Sequence, residues 1–171
     1  LFFGLMTMKA GLGPIKHDPD FVAFFTKFDA GSFGGIILCV GTGALLTMII
    51  QSSSATVGLT IALASQGLIS FPGAAALVLG ENIGTTITAQ LATLGSGINA
   101  HRTANAHTLF NVLGVVIIIL IFPQFLVVVE YLSLAIGAGP LTEVVNGERL
   151  NVARYIANGH SIFNILSAVI F

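Results

Sequence analysis

The sequence predicts an all-α polytopic membrane protein that contains a broken helical hairpin. Only 8% of its 171 residues are charged and 55% are hydrophobic, with a mean hydropathy of +0.98, whereas a soluble domain carries about 25% charged residues. The stretch from Ala30 to Gly80 has no charged residue, which is enough for two membrane crossings of about 20 residues each. Inside it lies the polar run from Gln51 to Thr56, which is costly in hydrocarbon unless its polar groups are used.

Composition also limits the partners and covalent cross-links that we expect. The formal net charge of −1 provides no basic field, so we expect no nucleic-acid partner. Cys39 is the single cysteine and can form no disulfide within the chain. The first residue is Leu1 and no signal peptide is recognisable, so we expect a fragment of a longer protein. The expected location is the inner or plasma membrane of the cell, with several crossings and the lipid bilayer as a partner.

Residues 1–32 predict the end of a membrane helix followed by a short amphipathic helix. Leu1 to Leu12 is apolar apart from Lys9 and a threonine, and Asp18 and Pro19 suit the N-cap and first position of the next helix. Phenylalanines then follow at helical spacing, which indicates a helix at the membrane interface or, equally, one packed on other protein. They are Phe21, Phe24, Phe25 and Phe28.

Residues 33–70 predict a helical hairpin with the polar run at its centre. Phe33 to Ile50 forms one uncharged arm, and the other continues to Leu68. We interpret Gln51 to Thr56 as a substrate or ion site where a membrane helix breaks. The alternative is that these side chains only hydrogen-bond between packed helices.

Residues 71–123 predict a second polar interruption and a further membrane helix. Gly80 to Thr86 lies near the middle of a segment that ends near Leu94. Polar interruptions in two consecutive segments are typical of discontinuous helices at a transport site. A loop is expected from Gly95 to Arg102 and a membrane helix from Thr103 to Pro123.

Residues 124–171 predict two more membrane helices, Phe125 to Ala138 and Asn151 to Phe171, joined by a solvated loop with turn signals at Gly139-Pro140 and Asn146-Gly147. The last helix repeats a motif, since residues 158–164 match residues 105–111. In both copies a histidine and an asparagine are four residues apart and share one helix face. Such faces look onto protein or a wet cavity, and helix-to-helix hydrogen bonds are the alternative use.

The polar runs offer ligands for an anion and for a cation. Ser52, Ser53 and Ser54 precede a half-helix whose N-terminus favours negative charge, which suits a phosphate-like oxyanion without an arginine. Gln51 and the Gly80–Thr86 run supply hard oxygen ligands for an alkali cation, and no Cys/His spacing suggests a transition metal. Glu81 could bind a cation or a proton, or it could be a helix-end residue in water.

Three motifs resemble the type II sodium–phosphate cotransporter family and its bacterial relatives. They are Gln51-Ser52-Ser53-Ser54-Ala55-Thr56, Gly80-x-Asn82-Ile83-Gly84-Thr85-Thr86 and Ala106-His107-Thr108-Leu109-Phe110-Asn111. The resemblance implies two inverted repeats, each with a re-entrant QSSS hairpin, that face each other across the substrate site. This chain resembles the second, C-terminal repeat, so its expected partner is another QSSS repeat in the same full-length chain or in a partner subunit.

The resemblance further implies sodium-coupled transport of inorganic phosphate, with sodium as the coupling ion and no other cofactor. We assign phosphate to Gln51, Ser52, Ser53 and Ser54. We assign sodium to Gln51, Ser53, Glu81, Asn82, Thr85 and Thr86, although Glu81 stands where the family pattern has a small or neutral residue. The residues expected to support both sites are His107, Asn111, His160 and Asn164.

Two other functions remain open at this point. An intramembrane serine protease could use Ser53 as nucleophile, His107 as base and Asn111 as oxyanion donor. However, the serine lacks a Gly-x-Ser-x-Gly setting, and we expect no enzyme. A non-transporting membrane subunit would use the polar residues only for packing.

Overall fold

A computed structural model describes residues 2–12 and 18–171, which are mostly helical, as predicted. Two short strands, β1 (Val144–Val145) and β2 (Glu148–Arg149), pair in an antiparallel ribbon before the last helix. The helices are α1 (Phe2–Leu12), α2 (Pro19–Phe25), α3 (Phe33–Ile50), α4 (Ser53–Ser65), α5 (Phe71–Ala92), α6 (Ile98–Leu120), α7 (Phe122–Ala135) and α8 (Val152–Ile170).

Helix α5 is the centre of the fold and packs against α3, α4, α6 and α8. Ser70 caps it, with its hydroxyl accepting from the Gly73 N–H at 3.2 Å, and Pro72 lies in the first turn, where a missing N–H is tolerated. The residues that follow are almost all buried, including Leu79 at 1% exposure. The polar half of α5 is therefore held in place by an apolar half that is enclosed on all sides.

Helix α3 lies against α5 with the two backbones in contact. A Cβ atom on Gly43 would collide with the carbonyl of Leu77, and one on Gly80 would collide with the carbonyl of Val40. Small residues allow this close helix approach. Gly43 and Gly80 are thus required by this packing.

The helix is interrupted between α3 and α4, inside the run Gln51–Thr56 that was predicted to break it. Gln51 adopts the left-handed conformation (φ 55°, ψ 28°), and its N–H still reaches the Thr47 carbonyl. Ser52 is extended and caps α4, so Ser53 and Ser54 already belong to the first turn of that helix. Just beyond the break, the hydroxyls of Thr47 and Thr56 pair at 3.0 Å and connect the two arms.

The second predicted interruption is wrong, because α5 runs unbroken through Gly80–Thr86. Three of its polar side chains donate to carbonyls of their own helix instead. Asn82 Nδ2 reaches the Val78 carbonyl at 2.8 Å, and the hydroxyls of Thr85 and Thr86 reach carbonyls one turn earlier, at 2.7 and 2.8 Å. These local bonds satisfy polar groups without breaking the helix.

Two further boundaries differ from the sequence prediction. Helix α6 starts at Ile98, within the stretch expected to be a loop, and the hydroxyl of Thr93 pairs with His101 Nδ1 at 3.1 Å across the short turn. Helix α7 starts at Phe122 with Pro123 in its first turn, so this proline begins a helix at the point where it was expected to end one.

The N-terminal helices agree with the sequence within the described residues. Helix α2 begins at Pro19, and the rings of Phe24, Phe25 and Phe28 contact one another with centroids 5.2 to 6.0 Å apart. The side chain of Phe21 and residues 13–17 lie outside the described part. Among residues 2–12 and 18–171, two helices, Phe33–Ile50 and Ile98–Leu120, are long and apolar enough to cross a membrane by length and composition.

Candidate functional site

A polar cavity of about 280 Å³ lies among α4, α5, α6 and α8. All of its lining residues except Val57 and Phe110 were predicted as site residues from the sequence. The lining consists of Ser53, Val57, Glu81, Asn82, Thr85, His107, Phe110, Asn111, His160 and Asn164. The polar runs 51–56 and 80–86 and both His/Asn motifs, 105–111 and 158–164, therefore each contribute side chains to this cavity.

Helix α4 brings its N-terminus to this cavity. The Ser52 hydroxyl accepts from the Ala55 N–H at 3.4 Å and lies 3.3 Å from the Ser54 hydroxyl. Ser53, in the first turn, lines the cavity. The first N–H groups of a helix lack partners within the helix and carry partial positive charge. An anion held at Ser53 would therefore meet a favourable electrostatic field without any basic side chain.

Asn82 connects α5 to α8 at the cavity wall. Its Oδ1 atom accepts from His160 Nε2 at 3.1 Å and, more weakly, from Asn164 Nδ2 at 3.5 Å. Because Asn82 Nδ2 donates to the Val78 carbonyl, the oxygen is the atom that faces His160, and His160 Nε2 carries the hydrogen. The Asn82 amide therefore already has its hydrogen-bond partners within the protein.

The two His/Asn motifs occupy similar places but bond differently. Asn111 donates to the His107 carbonyl at 3.0 Å, and Asn164 donates to the His160 carbonyl at 2.8 Å. His160 also binds Asn82, whereas the ring of His107 makes no hydrogen bond within the described part of the chain. Both copies line the cavity and both are bonded to α5. The second copy uses its histidine, whereas in the first copy Asn105 and Thr108 accept from Gln90 Nε2 at 3.2 and 2.8 Å.

Glu81 is the most deeply buried charged side chain at the cavity, with 2% of its surface exposed. Its Oε1 atom accepts from the Thr60 hydroxyl at 2.7 Å, while its Oε2 atom is buried and has no partner. No Lys or Arg is among the described residues that line the cavity. The carboxylate is therefore held by one hydroxyl and lacks a positive charge beside it.

Thr60 is a site residue that the sequence analysis missed. It is 4% exposed and lies seven residues after Ser53, so the two share a face of α4. This helical spacing, Ser53, Val57 and Thr60, is the signal that could have identified it. Within the described residues there is no group of three His, Cys, Asp or Glu side chains that could hold a metal ion.

Four predicted site residues lie away from the cavity. Gln51 and Ser54 are exposed at the break, and Ser52 is half-buried there. Thr86 is buried on another side of α5, with 2% exposure. The structure thus joins Ser53, but not its three neighbours in the QSSS run, to the residues of α5, α6 and α8.

Comparison with known proteins gives consistent matches. The family described as Na+/Pi-cotransporter matches residues 1–142. The uncharacterized protein YqeW of Bacillus subtilis (strain 168) is 36% identical over 129 residues, which cover 75% of this chain and 37% of YqeW. The sodium-dependent phosphate transport protein 2C of Homo sapiens is 42% identical over 94 residues, 53% of this chain and 16% of that protein.

The human sodium-dependent phosphate transport protein 2B is 42% identical over 84 residues, which are 47% of this chain and 12% of that protein. The chain therefore spans much less than half the length of these relatives. No solved structure matches the chain.

Proposed function

The chain belongs to the Na+/Pi-cotransporter family, and from this premise we propose that it forms one half of a sodium-coupled transport site for inorganic phosphate. The family is one of membrane transporters and not of enzymes, so the protease alternative is not favoured. We place the protein in the inner or plasma membrane of its cell, crossing it several times.

The observation that carries this proposal is the shared polar cavity. Four motif segments that are far apart in sequence line it, and they bring hydroxyls, amides, two histidines and one carboxylate. A polar cavity of this kind, with Glu81 and Asn82 buried in its wall, is costly beside hydrocarbon unless it binds a polar ligand. A site for phosphate and its coupling ion uses the whole set, whereas packing alone leaves Glu81 Oε2 without a partner.

In this proposal Ser53 and the start of α4 bind the phosphate oxygens. Backbone N–H groups and the serine hydroxyl donate hydrogen bonds, and the helix N-terminus favours the negative charge. Gln51, Ser52 and Ser54 complete the phosphate site from the exposed tip of the break. Since the lining has no Lys or Arg, the cation supplies the charge that balances the anion.

Sodium is a second substrate that uses oxygen ligands. The candidates remain Gln51, Ser53, Glu81, Asn82, Thr85 and Thr86. Among those that line the cavity, carboxylate, amide and hydroxyl oxygens fit a hard alkali cation. His107, Asn111, His160 and Asn164 support these residues from α6 and α8.

The break supports a re-entrant hairpin. Helix α4 has 13 residues, so it is about 20 Å long and too short for a hydrocarbon core of about 30 Å. A helix that ends inside the membrane requires a protein neighbour for its polar tip. We propose that a second QSSS repeat, in the same full-length chain or in a partner subunit, covers Gln51 and Ser54.

The test is uptake of radiolabelled phosphate by proteoliposomes that hold the protein from its complete reading frame. We expect uptake under an inward sodium gradient and little under a matched choline gradient. Ser53→Ala removes a hydrogen bond to a charged ligand and should lower the apparent phosphate affinity about tenfold. Ser96→Ala, at an exposed residue outside the cavity, serves as the matched control. Absence of phosphate uptake would favour the non-transporting subunit.

A further inference from the structure

We propose that Glu81 is the cavity carboxylate that binds the coupling cation and that Thr60 is the positioning residue that makes it available. The inference rests on the proposed function and assigns a role to a residue outside the three family motifs. The Thr60 hydroxyl donates to Glu81 Oε1 at 2.7 Å. This bond leaves the buried, unpartnered Oε2 atom as the oxygen free to bind a cation.

The other candidate oxygens on α5 are already engaged. Asn82 Oδ1 accepts from His160 and Asn164, so a cation at this atom would displace one of these donors. The hydroxyls of Thr85 and Thr86 donate to carbonyls of α5 and retain only weaker, neutral lone pairs. Among these α5 oxygens, Glu81 Oε2 is thus the one that carries negative charge and has no existing hydrogen bond to lose.

Charge balance favours a cation at the same atom. A buried carboxylate without a positive partner is strongly destabilised, and the described lining offers no Lys or Arg. The titratable groups that share the cavity are His107 and His160, and His160 donates to Asn82. One carboxylate with neutral oxygens suits a monovalent ion, because Ca²⁺ takes six to eight oxygen ligands and usually several carboxylates.

Thr60 connects the cation position to the helix that begins at the break. Ser53, which we assign to phosphate, lies two turns before it on the same face of α4. Thr60 also lines a separate apolar cavity of about 360 Å³ beside Phe24 and Phe28. Thr60 therefore lies between the polar cavity and the apolar cavity, and its hydroxyl donates to Glu81, the acidic residue of the polar cavity.

The experiment measures sodium-dependent stabilisation of the purified protein in detergent, without phosphate and at constant ionic strength with choline. A ligand that binds the folded state raises the unfolding temperature with its concentration. For the wild type we expect a saturable rise with sodium. Thr60→Val should increase the half-saturating sodium concentration about tenfold, because a charge-assisted hydrogen bond orients the ligand.

Matched variants separate positioning from packing. Thr60→Ser keeps the hydroxyl and should bind sodium as the wild type does. Thr88→Val, at an exposed residue of α5 whose hydroxyl bonds only the Thr85 carbonyl, should leave the sodium response unchanged. Glu81→Gln should abolish the saturable rise, and where this variant does not fold, the Thr60→Val and Thr60→Ser pair decides.

A wild-type sodium response in Glu81→Gln or in Thr60→Val would overturn the inference, and so would a wild-type protein that sodium does not stabilise. Uptake assays distinguish a wrong assignment of Glu81 and Thr60 from a wrong proposal of phosphate transport. In them Thr60→Val should change the sodium dependence more than the phosphate dependence. Sodium-dependent phosphate uptake together with an unaltered sodium response in these variants would retain the transporter and reject the role of Glu81.

Discussion

The two polar runs, Gln51–Thr56 and Gly80–Thr86, lie in similar apolar surroundings, yet only the first one breaks its helix. In the first run a left-handed residue is followed by an extended serine that caps the next helix. In the second run three of the four polar side chains bond a carbonyl of their own helix, and Glu81 accepts from Thr60 of α4. The difference shows that polarity in a membrane helix does not by itself predict a break.

The two runs differ in the hydrogen-bond partners of their polar groups and in how closely another helix packs against them. Gly80 and Gly84 place the second run against the α3 backbone, and this contact requires a continuous helix. The first run has its serines at a helix start, where a hydroxyl can replace a missing backbone partner. The four predictions below test this contrast, from the largest expected effect to the smallest.

The largest effect is expected where α3 and α5 touch. Gly43→Ala places a methyl group against the Leu77 carbonyl and should lower the free energy of unfolding by about 2 kcal/mol through overpacking. Gly41→Ala is the control, because a Cβ at Gly41 meets no atom within 4 Å, and it should be neutral or stabilising by up to about 1 kcal/mol. Chemical denaturation in detergent measures both, and equal effects would contradict the contact.

The next largest effect is expected at the hydrogen bond between Asn82, in the unbroken helix α5, and His160 of α8. His160→Ala removes the main donor to the buried Asn82 Oδ1 atom and should destabilise the fold by about 1–3 kcal/mol. His107→Ala, in the other copy of the motif, should cost less than about 0.5 kcal/mol, as is usual away from such bonds. His160→Gln can donate in place of the imidazole and should keep transport. A stability change equal to that of His107→Ala would show that the bond is unimportant.

A smaller effect is expected at the cap of α4. Ser52→Ala removes the side-chain acceptor for the Ala55 N–H and should cost about 1 kcal/mol, while Ser52→Asp should restore most of it. In the unbroken helix Thr88→Ala removes a hydroxyl that only bonds a carbonyl already used by the helix, so it should change stability by less than about 0.5 kcal/mol. The unfolding temperatures of the three variants are compared. An unchanged unfolding temperature in Ser52→Ala would show that the Ser52 cap does not stabilise α4.

The smallest effect has the opposite sign. Gln51 has a positive φ of 55°, which glycine adopts without steric cost, so Gln51→Gly should stabilise the break by about 0.5–1 kcal/mol. The same change deletes a proposed phosphate ligand and should weaken phosphate uptake. Stability and uptake that fall together would indicate that Gln51 is structural only.

The sequence predicted the mostly helical structure, most of the helices and eight of the ten residues that line the cavity, because polar side chains in apolar helices have few permitted places. The continuity of α5 could not be predicted, since it depends on side chains that bond their own helix and on the approach of α3 to Gly80. The hydrogen bond between Thr60 and Glu81 could not be predicted either, because it depends on how α4 packs against α5. Helical spacing places Thr60 on the face of Ser53 but does not identify its partner.

The central claim is that phosphate binds in the cavity that Ser53 shares with α5, α6 and α8. Val57→Cys, in a background with Cys39→Ala, places a thiol on the cavity wall at a residue without a ligand role. The measurement is the rate at which a hydrophilic thiosulfonate modifies this thiol, compared with Leu94→Cys, which is 73% exposed and lies outside the cavity.

We predict that phosphate and sodium together slow the modification of Val57→Cys at least about tenfold, the change expected for a site that is occupied nine-tenths of the time. Leu94→Cys should react at the same rate with and without the two ions. An unprotected Val57→Cys at phosphate concentrations that saturate transport would contradict the claim and place the phosphate site elsewhere.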